Sequence, residues 1–234
     1  MKYKNLTLAI DTSSYQGSIA LFDENKTISV LNIESKNTHS NTILKRIDFL
    51  LEETGINLNQ LKNILAVNGP GSFTGIRIGI SVIKAFAYAL NLKVYNISTL
   101  QLLSFENDEN SISFIHTFLP GIRDELYYGK YKLDKIPIKI EEKLIYQSQI
   151  EKLDYNDSVI IIPDYLNLFK NLINKIKIKK ITYNNIFKIF LKPELFLTDI
   201  NKLTPYYLRE SEAEIKHRQN KKTKYQLYIE NLMQ

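Results

Sequence analysis

Two short stretches hold the residues whose types and spacing could do chemistry. The first is Asp11-Thr12-Ser13, an acid and two hydroxyls at the end of an apolar run. An acid at a strand end can hold a hydrated cation, and hydroxyls beside it can contact phosphate. The second runs from Val67 through Asn68-Gly69-Pro70-Gly71-Ser72-Phe73-Thr74-Gly75 to Ile76-Arg77-Ile78-Gly79. It joins the apolar run Ile64 to Val67 to a long apolar segment, Ile76 to Leu90. Its glycines can take positive φ or admit another backbone, Pro70 fixes a turn, and Ser72 or Thr74 can cap a helix. A strand–glycine loop–helix unit aims unpaired N–H groups and a positive dipole end at one spot. The candidate phosphate-binding residues are therefore Asp11, Thr12, Ser13, Gly69, Gly71, Ser72, Thr74 and Gly75. The same residues also make a capped turn that binds nothing, with Asp11 and Thr12 satisfying turn backbone. The loop is neither a P-loop nor a dinucleotide fingerprint, because the Gly-Lys-Ser/Thr and the required glycine spacing are missing.

Metal chemistry finds little to work with. The chain has no cysteine, and its histidines are His39, His116 and His217, none with an i, i+4 partner. A three- or four-ligand transition-metal site is not readily built from that set, so no metal site is expected. No Ser/His arrangement stands at a nucleophile elbow, which leaves proteolysis without support.

The elements that must position the two stretches follow from pattern. Leu6 to Asp11, Gly17 to Phe22 and Thr27 to Ile33 read as an antiparallel meander. Thr38 to Thr54 reads as a helix with Ile43, Leu44, Ile47, Leu50 and Leu51 on one face and Gly55 as its stop. Phe49 falls nearly opposite that face. In the helix Ile76 to Leu90 the polar residues Arg77, Ser81, Lys84 and Tyr88 form one narrow stripe. The rest of that helix is apolar, more than one sheet covers, so a second helix or another chain must shelter it. Lys93 to Ile97 is the next strand, and Ser98-Thr99 caps a short helix through Phe105. The polar run Glu106 to Asn110 is the expected boundary, giving subdomains 1–105 and 106–210, with a C-terminal helix over 211–234 as a candidate addition to the first. The second half begins again with strands at Ser113 to Phe118, Leu126 to Leu133 and Ile136 to Tyr146, then Ser158 to Ile162 and a helix to about Ile173.

The chain has 234 residues, 44% of them hydrophobic, enough for a substantial core. Net charge is +6, which permits nucleic-acid contact without demonstrating it. Seven lysines and no acid lie between Asp164 and Glu194, a solvated face or an RNA-facing one. No stretch reaches the roughly 20 apolar residues of a membrane span, and a cytoplasmic protein is expected.

The order of elements resembles the duplicated ribonuclease-H-like fold of the actin, Hsp70 and sugar-kinase superfamily: α/β, two subdomains, mixed sheets with flanking helices. Particular segments resemble the TsaB (YeaZ) family: Leu8 to Ser13 with Gly17 to Leu21, His39-Ser40, Gly69 to Gly79, Ser98-Thr99-Leu100, Gly121 to Tyr127 and Pro205 to Arg209. Gly121 stands where that family has an aspartate. The resemblance implies a role in adding threonylcarbamoyl to adenosine 37 of tRNAs that read codons beginning with A. It implies a non-catalytic scaffold that heterodimerises with the metal-dependent transferase TsaD, is joined by the ATPase TsaE, homodimerises alone and meets tRNA indirectly. The interface residues expected on the two helices are Ser40, Leu44, Ile47 and Leu51, with Arg77, Ile80 and Lys84. No cofactor is expected for the isolated chain, and ATP or ADP with Mg²⁺ is expected, if anywhere, at the complex interface. The competing reading is a nucleotide-using enzyme of the same superfamily, working in the cleft between subdomains. A direct tRNA contact by Lys170–Lys192 or the basic tail would be auxiliary and salt-dependent.

Overall fold

The computed structural model describes residues 3–14, 16–24, 26–34, 42–108, 110–163, 166, 177–181 and 193–210. Its strands are β1 (Thr7–Asp11), β2 (Gln16–Asp23), β3 (Lys26–Glu34), β4 (Asn63–Val67), β5 (Lys93–Ile97), β6 (Phe114–Pro120), β7 (Glu125–Lys132), β8 (Ile138–Tyr146), β9 (Ser158–Pro163), β10 (Lys177–Ile181) and β11 (Leu197–Thr198). Its helices are α1 (Ile43–Thr54), α2 (Phe73–Leu90) and α3 (Thr99–Ser104). His39, Ser40, the helix expected after Asp164, most of the lysine run and the segment 211–234 lie outside the described residues.

The strands form two sheets, ordered β11-β5-β4-β1-β2-β3 and β10-β9-β6-β7-β8. In the first, β3, β2 and β1 are antiparallel, and β4 and β5 continue in parallel from β1. The second repeats this: β8, β7 and β6 are antiparallel, and β9 and β10 continue in parallel from β6. One strand order thus occurs twice without a sequence repeat, the expected duplicated ribonuclease-H-like architecture.

Strands β1 and β4 are buried along their whole length, as central parallel strands covered on both faces must be. On one face α1 and α2 complete a core with Leu8, Ile10, Ile19, Leu21 and Ile64. On the other, Leu65, Val67, Tyr95 and Ile97 pack with Leu102, Phe105 and Phe196. The second sheet packs one face on α3 through Leu100 and Leu103. The caps follow the sequence: Gly55 ends α1 at φ 65°, and Ser72 and Ser98 accept the Gly75 and Gln101 amides at the starts of α2 and α3.

Several details differ from expectation. The short β11 pairs antiparallel with β5, so residues near 197, counted with the second half from sequence, return to the first sheet. The apolar face of α1 divides: Ile43, Ile47, Leu50 and Leu51 are buried, and Leu44 is 53% exposed. Ile136 precedes β8 and is buried in the first half's core. Helix α2 has the length and composition of a membrane span, contrary to the sequence estimate. Its inner face, however, packs across β4 and β1.

Candidate functional site

The two chemistry-bearing stretches meet. The carboxylate of Asp11 is buried and its Oδ1 accepts the Ser13 amide at 2.8 Å. Thr12 Oγ1 donates to the Gly75 carbonyl at 2.7 Å, and the Ser72 amide donates to the Ser13 carbonyl at 2.6 Å. A Cβ on Gly71 would lie 2.1 Å from Ser13 O, and one on Gly75 would lie 2.0 Å from Thr12 O. Gly69 adopts φ +114°, and a Cβ there would lie 2.6 Å from the Tyr206 carbonyl oxygen. The glycines therefore admit this chain's own backbone. Between the loop and the first turn there is no room for a methyl group on Gly71 or Gly75. Thr74 is exposed at the start of α2.

A cavity of about 410 Å³ opens beside this junction. Ser13, Pro70 and Phe73 form its wall from the first half, and Leu119, Ile122 and Tyr127 from the second. This is the cleft in which the competing reading would place a nucleotide. Its named walls carry no ionised side chain. Arg209 stands nearby, paired to Glu125 at 2.8 Å.

Among the described residues no group of three or more His, Asp or Glu side chains could hold a metal ion. His116 is fully buried, with Nδ1 2.9 Å from the Tyr128 hydroxyl. Burial, with Lys130 adding to it, pushes its pKa down to about 4, so it is neutral at physiological pH. Lys179 in β10 is bound to Asp108 at 2.8 Å and to the Glu106 carbonyl at 2.7 Å. Its charge is engaged within the chain.

Helix α2 has three sides. Gly75, Ile76, Gly79, Ile80, Ile83 and Ala87 face the sheet. The polar stripe is strapped by the segment after β11: Arg77 Nε donates to the Tyr207 hydroxyl at 2.8 Å, and the Tyr88 hydroxyl donates to Asn201 Oδ1 at 2.8 Å. The Tyr207 ring stacks on Phe73 with centroids 4.5 Å apart. On the remaining flank Ile78, Val82 and Phe86 are half-buried, and Ala85 and Ala89 are exposed.

The expected interface residues divide accordingly. Leu44 is accessible, Arg77 is exposed but held by Tyr207, and Lys84 is half-buried. Ile47, Leu51 and Ile80 are corrections: they are 0%, 6% and 6% exposed and belong to the core. The apolar period gave the right stripe, but the sheet takes that stripe first. Sequence reasoning missed the flank Ile78, Val82 and Phe86, which the breadth of the apolar surface could have indicated. It also missed the strap, whose only signal was the aromatic run near Tyr206-Tyr207.

A family profile described as tRNA N6-adenosine threonylcarbamoyltransferase (TsaD) matches residues 30–187. The tRNA threonylcarbamoyladenosine biosynthesis protein TsaB of Bacillus subtilis is 28% identical over 221 residues, 89% of this chain and 96% of that protein. The chain belongs to the TsaD family, on its TsaB (YeaZ) branch. The TsaB protein of Haemophilus influenzae is 33% identical over 139 residues, 57% of each chain. The solved structure of YeaZ from Pseudomonas aeruginosa aligns with TM-score 0.70 and 22% identity, covering 86% of this chain and all of that one. That likeness shows the same fold.

Proposed function

We propose that this chain acts in tRNA threonylcarbamoyladenosine biosynthesis as a non-catalytic partner that pairs with a TsaD-type transferase through helix α2. The observation that carries the reading is the flank of α2 opposite its strap, where Ile78, Val82 and Phe86 remain half-buried beside exposed Ala85 and Ala89. Small residues at Ala85 and Ala89 suit close approach of another helix, and an apolar flank left at a surface marks an interaction site. Leu44 on α1 extends the accessible apolar surface. In the absence of the transferase two copies pair through the same flank. A TsaE-type ATPase joins the heterodimer, tRNA is met through the transferase, and the complex works in the cytoplasm. Nucleotide, where used, belongs to the assembled complex.

The backbone-filled junction at Gly71 and Gly75 favours this over a nucleotide-using enzyme. Co-purification of the chain with a TsaD-type transferase tests it, using wild type and Ala85→Glu. The wild type is expected to co-elute with the transferase and the variant to elute alone while still folded. Equal retention of both would overturn the proposed surface. Titration of the isolated chain with Mg-ATP addresses the alternative, and micromolar binding with turnover would favour the enzyme.

A further inference from the structure

Glu142 in β8 is an acid whose side chain has no solvent exposure. Burying a carboxylate is costly unless donors surround it, and its donors come from several parts of the chain. Ser98, the cap of α3, donates its hydroxyl to Oε1. Tyr131 in β7 donates to the same oxygen at 2.5 Å. Tyr206, in the strap along α2, has its hydroxyl held above the ordinary range by burial and by the neighbouring Glu142, while Oε2 of the acid accepts no hydrogen bond among the described residues. The Lys139 ammonium stands 3.8 Å from Oε2. Burial and the neighbouring Glu142 hold the Tyr131 hydroxyl far above its ordinary range, so it stays a donor.

The acid and Tyr131 belong to the second sheet, whereas Ser98 starts the helix between the two sheets and Tyr206 lies against the first-half loop. The Tyr206 amide donates to the Asn68 carbonyl at 2.8 Å. A second tie lies close by in sequence. Ile136 is buried among Phe22, Tyr95, Phe105 and Phe196 of the first half, and Gln101 Nε2 donates to the Pro137 carbonyl at 3.3 Å.

We propose that Glu142 is the pin of a fixed hinge, holding the two halves at one angle so that the cleft does not close on a ligand. A hinge that closes needs a few residues free to absorb a change in φ and ψ. Here the joint is crossed by a buried acid bound by Ser98 at the start of α3 and by Tyr131 in β7, and by an apolar peg. Opening it would strand a buried carboxylate or its donors, at a cost well above that of an ordinary surface contact. The inference stands independently of which partner occupies α2.

The absence of cysteine allows a direct test. Spin labels are attached at Glu52→Cys on α1 and Glu151→Cys after β8, both at exposed positions, and the distance between them is measured by pulsed electron resonance. The labelled parent is expected to show one narrow distance, unchanged by Mg-ATP. Adding Glu142→Gln or Tyr131→Phe is expected to broaden or split that distance while the far-UV circular dichroism is retained. A parent distance that is already multiple, or that shifts with Mg-ATP, overturns the proposal. So does a folded variant that keeps the narrow distance. Should Glu142→Gln fail to fold, Tyr131→Phe, which removes one hydroxyl, and the parent measurement still decide.

Discussion

The carbonyl oxygen of Thr12 occupies the place where a side chain on Gly75 would begin, 2.0 Å from its ideal Cβ position. The glycine is there for the first strand's turn, and this makes a specific prediction. Gly75→Ala forces backbone against backbone, at about 3 kcal/mol or more, the upper end of overpacking costs. At Gly79 the obstacle is instead a side-chain atom, Thr12 Oγ1 at 2.3 Å. Thr12→Ala should therefore partly restore the stability of Gly79→Ala and leave Gly75→Ala unrescued. Urea unfolding of the single and paired variants reads this directly.

The strap across α2 is a second target. Tyr207 stacks on Phe73 and accepts from Arg77. Tyr207→Ala should lose about 1–2 kcal/mol, the ring contact and the hydrogen bond together. Tyr207→Phe keeps the ring and should lose under about 1 kcal/mol. For a chain of this size each kcal/mol moves the melting temperature by roughly 2–4 °C. Thermal melts that rank Phe below Ala would remove the stacking account.

Much of this arrangement is legible in the residues. The meander, the glycine loop, the caps at Gly55, Ser72 and Ser98, and the β-first restart all carry local signals of turn chemistry or period. What a glycine admits is not local: the type of Gly71 and Gly75 announces a close approach, but ligand and backbone leave the same mark. The side of a helix that stays uncovered is not local either. Ile80 and Val82 are both apolar residues of one broad surface, and only the placement of the sheet separates them. The two-residue strand β11 and the Asn201–Tyr207 strap are too short and irregular to have a period. Nothing local marks the acid at Glu142, because Ser98 and Tyr131 lie elsewhere in the sequence.

His116 predicts a pH dependence of stability. Its folded pKa of about 4 lies below the ordinary 6.5, so the unfolded chain binds this proton more readily. Its contribution is complete above pH 6.5 and is lost as pH falls toward 4, after which this group adds no further slope. A shift of that size corresponds to about 3 kcal/mol. Replacing the ring by His116→Gln, which cannot take up the proton, should flatten the stability profile between pH 6.5 and 4 compared with wild type. Denaturation midpoints measured across that range check it, and parallel profiles would show that other groups carry the acid sensitivity.

Helix α2 offers the sharpest contrast, because neighbouring apolar residues are assigned opposite roles. Ile80 is 6% exposed and faces the sheet. A carboxylate there is buried without a donor, so Ile80→Asp should cost several kcal/mol and yield little folded protein. Val82 is half-buried and packs at the edge of the core, on the flank away from the strap, where the longer side chain of a glutamate can reach water. Val82→Glu should change the stability of the isolated chain by about 1 kcal/mol or less. In a pairing interface the same charge would be desolvated opposite apolar groups, which usually costs 2 kcal/mol or more, roughly thirtyfold in affinity. Sedimentation of the lone chain should then show the dimer lost in Val82→Glu with its melting point nearly intact. A variant that melts early yet still pairs would place Val82 in the core and move the docking surface elsewhere.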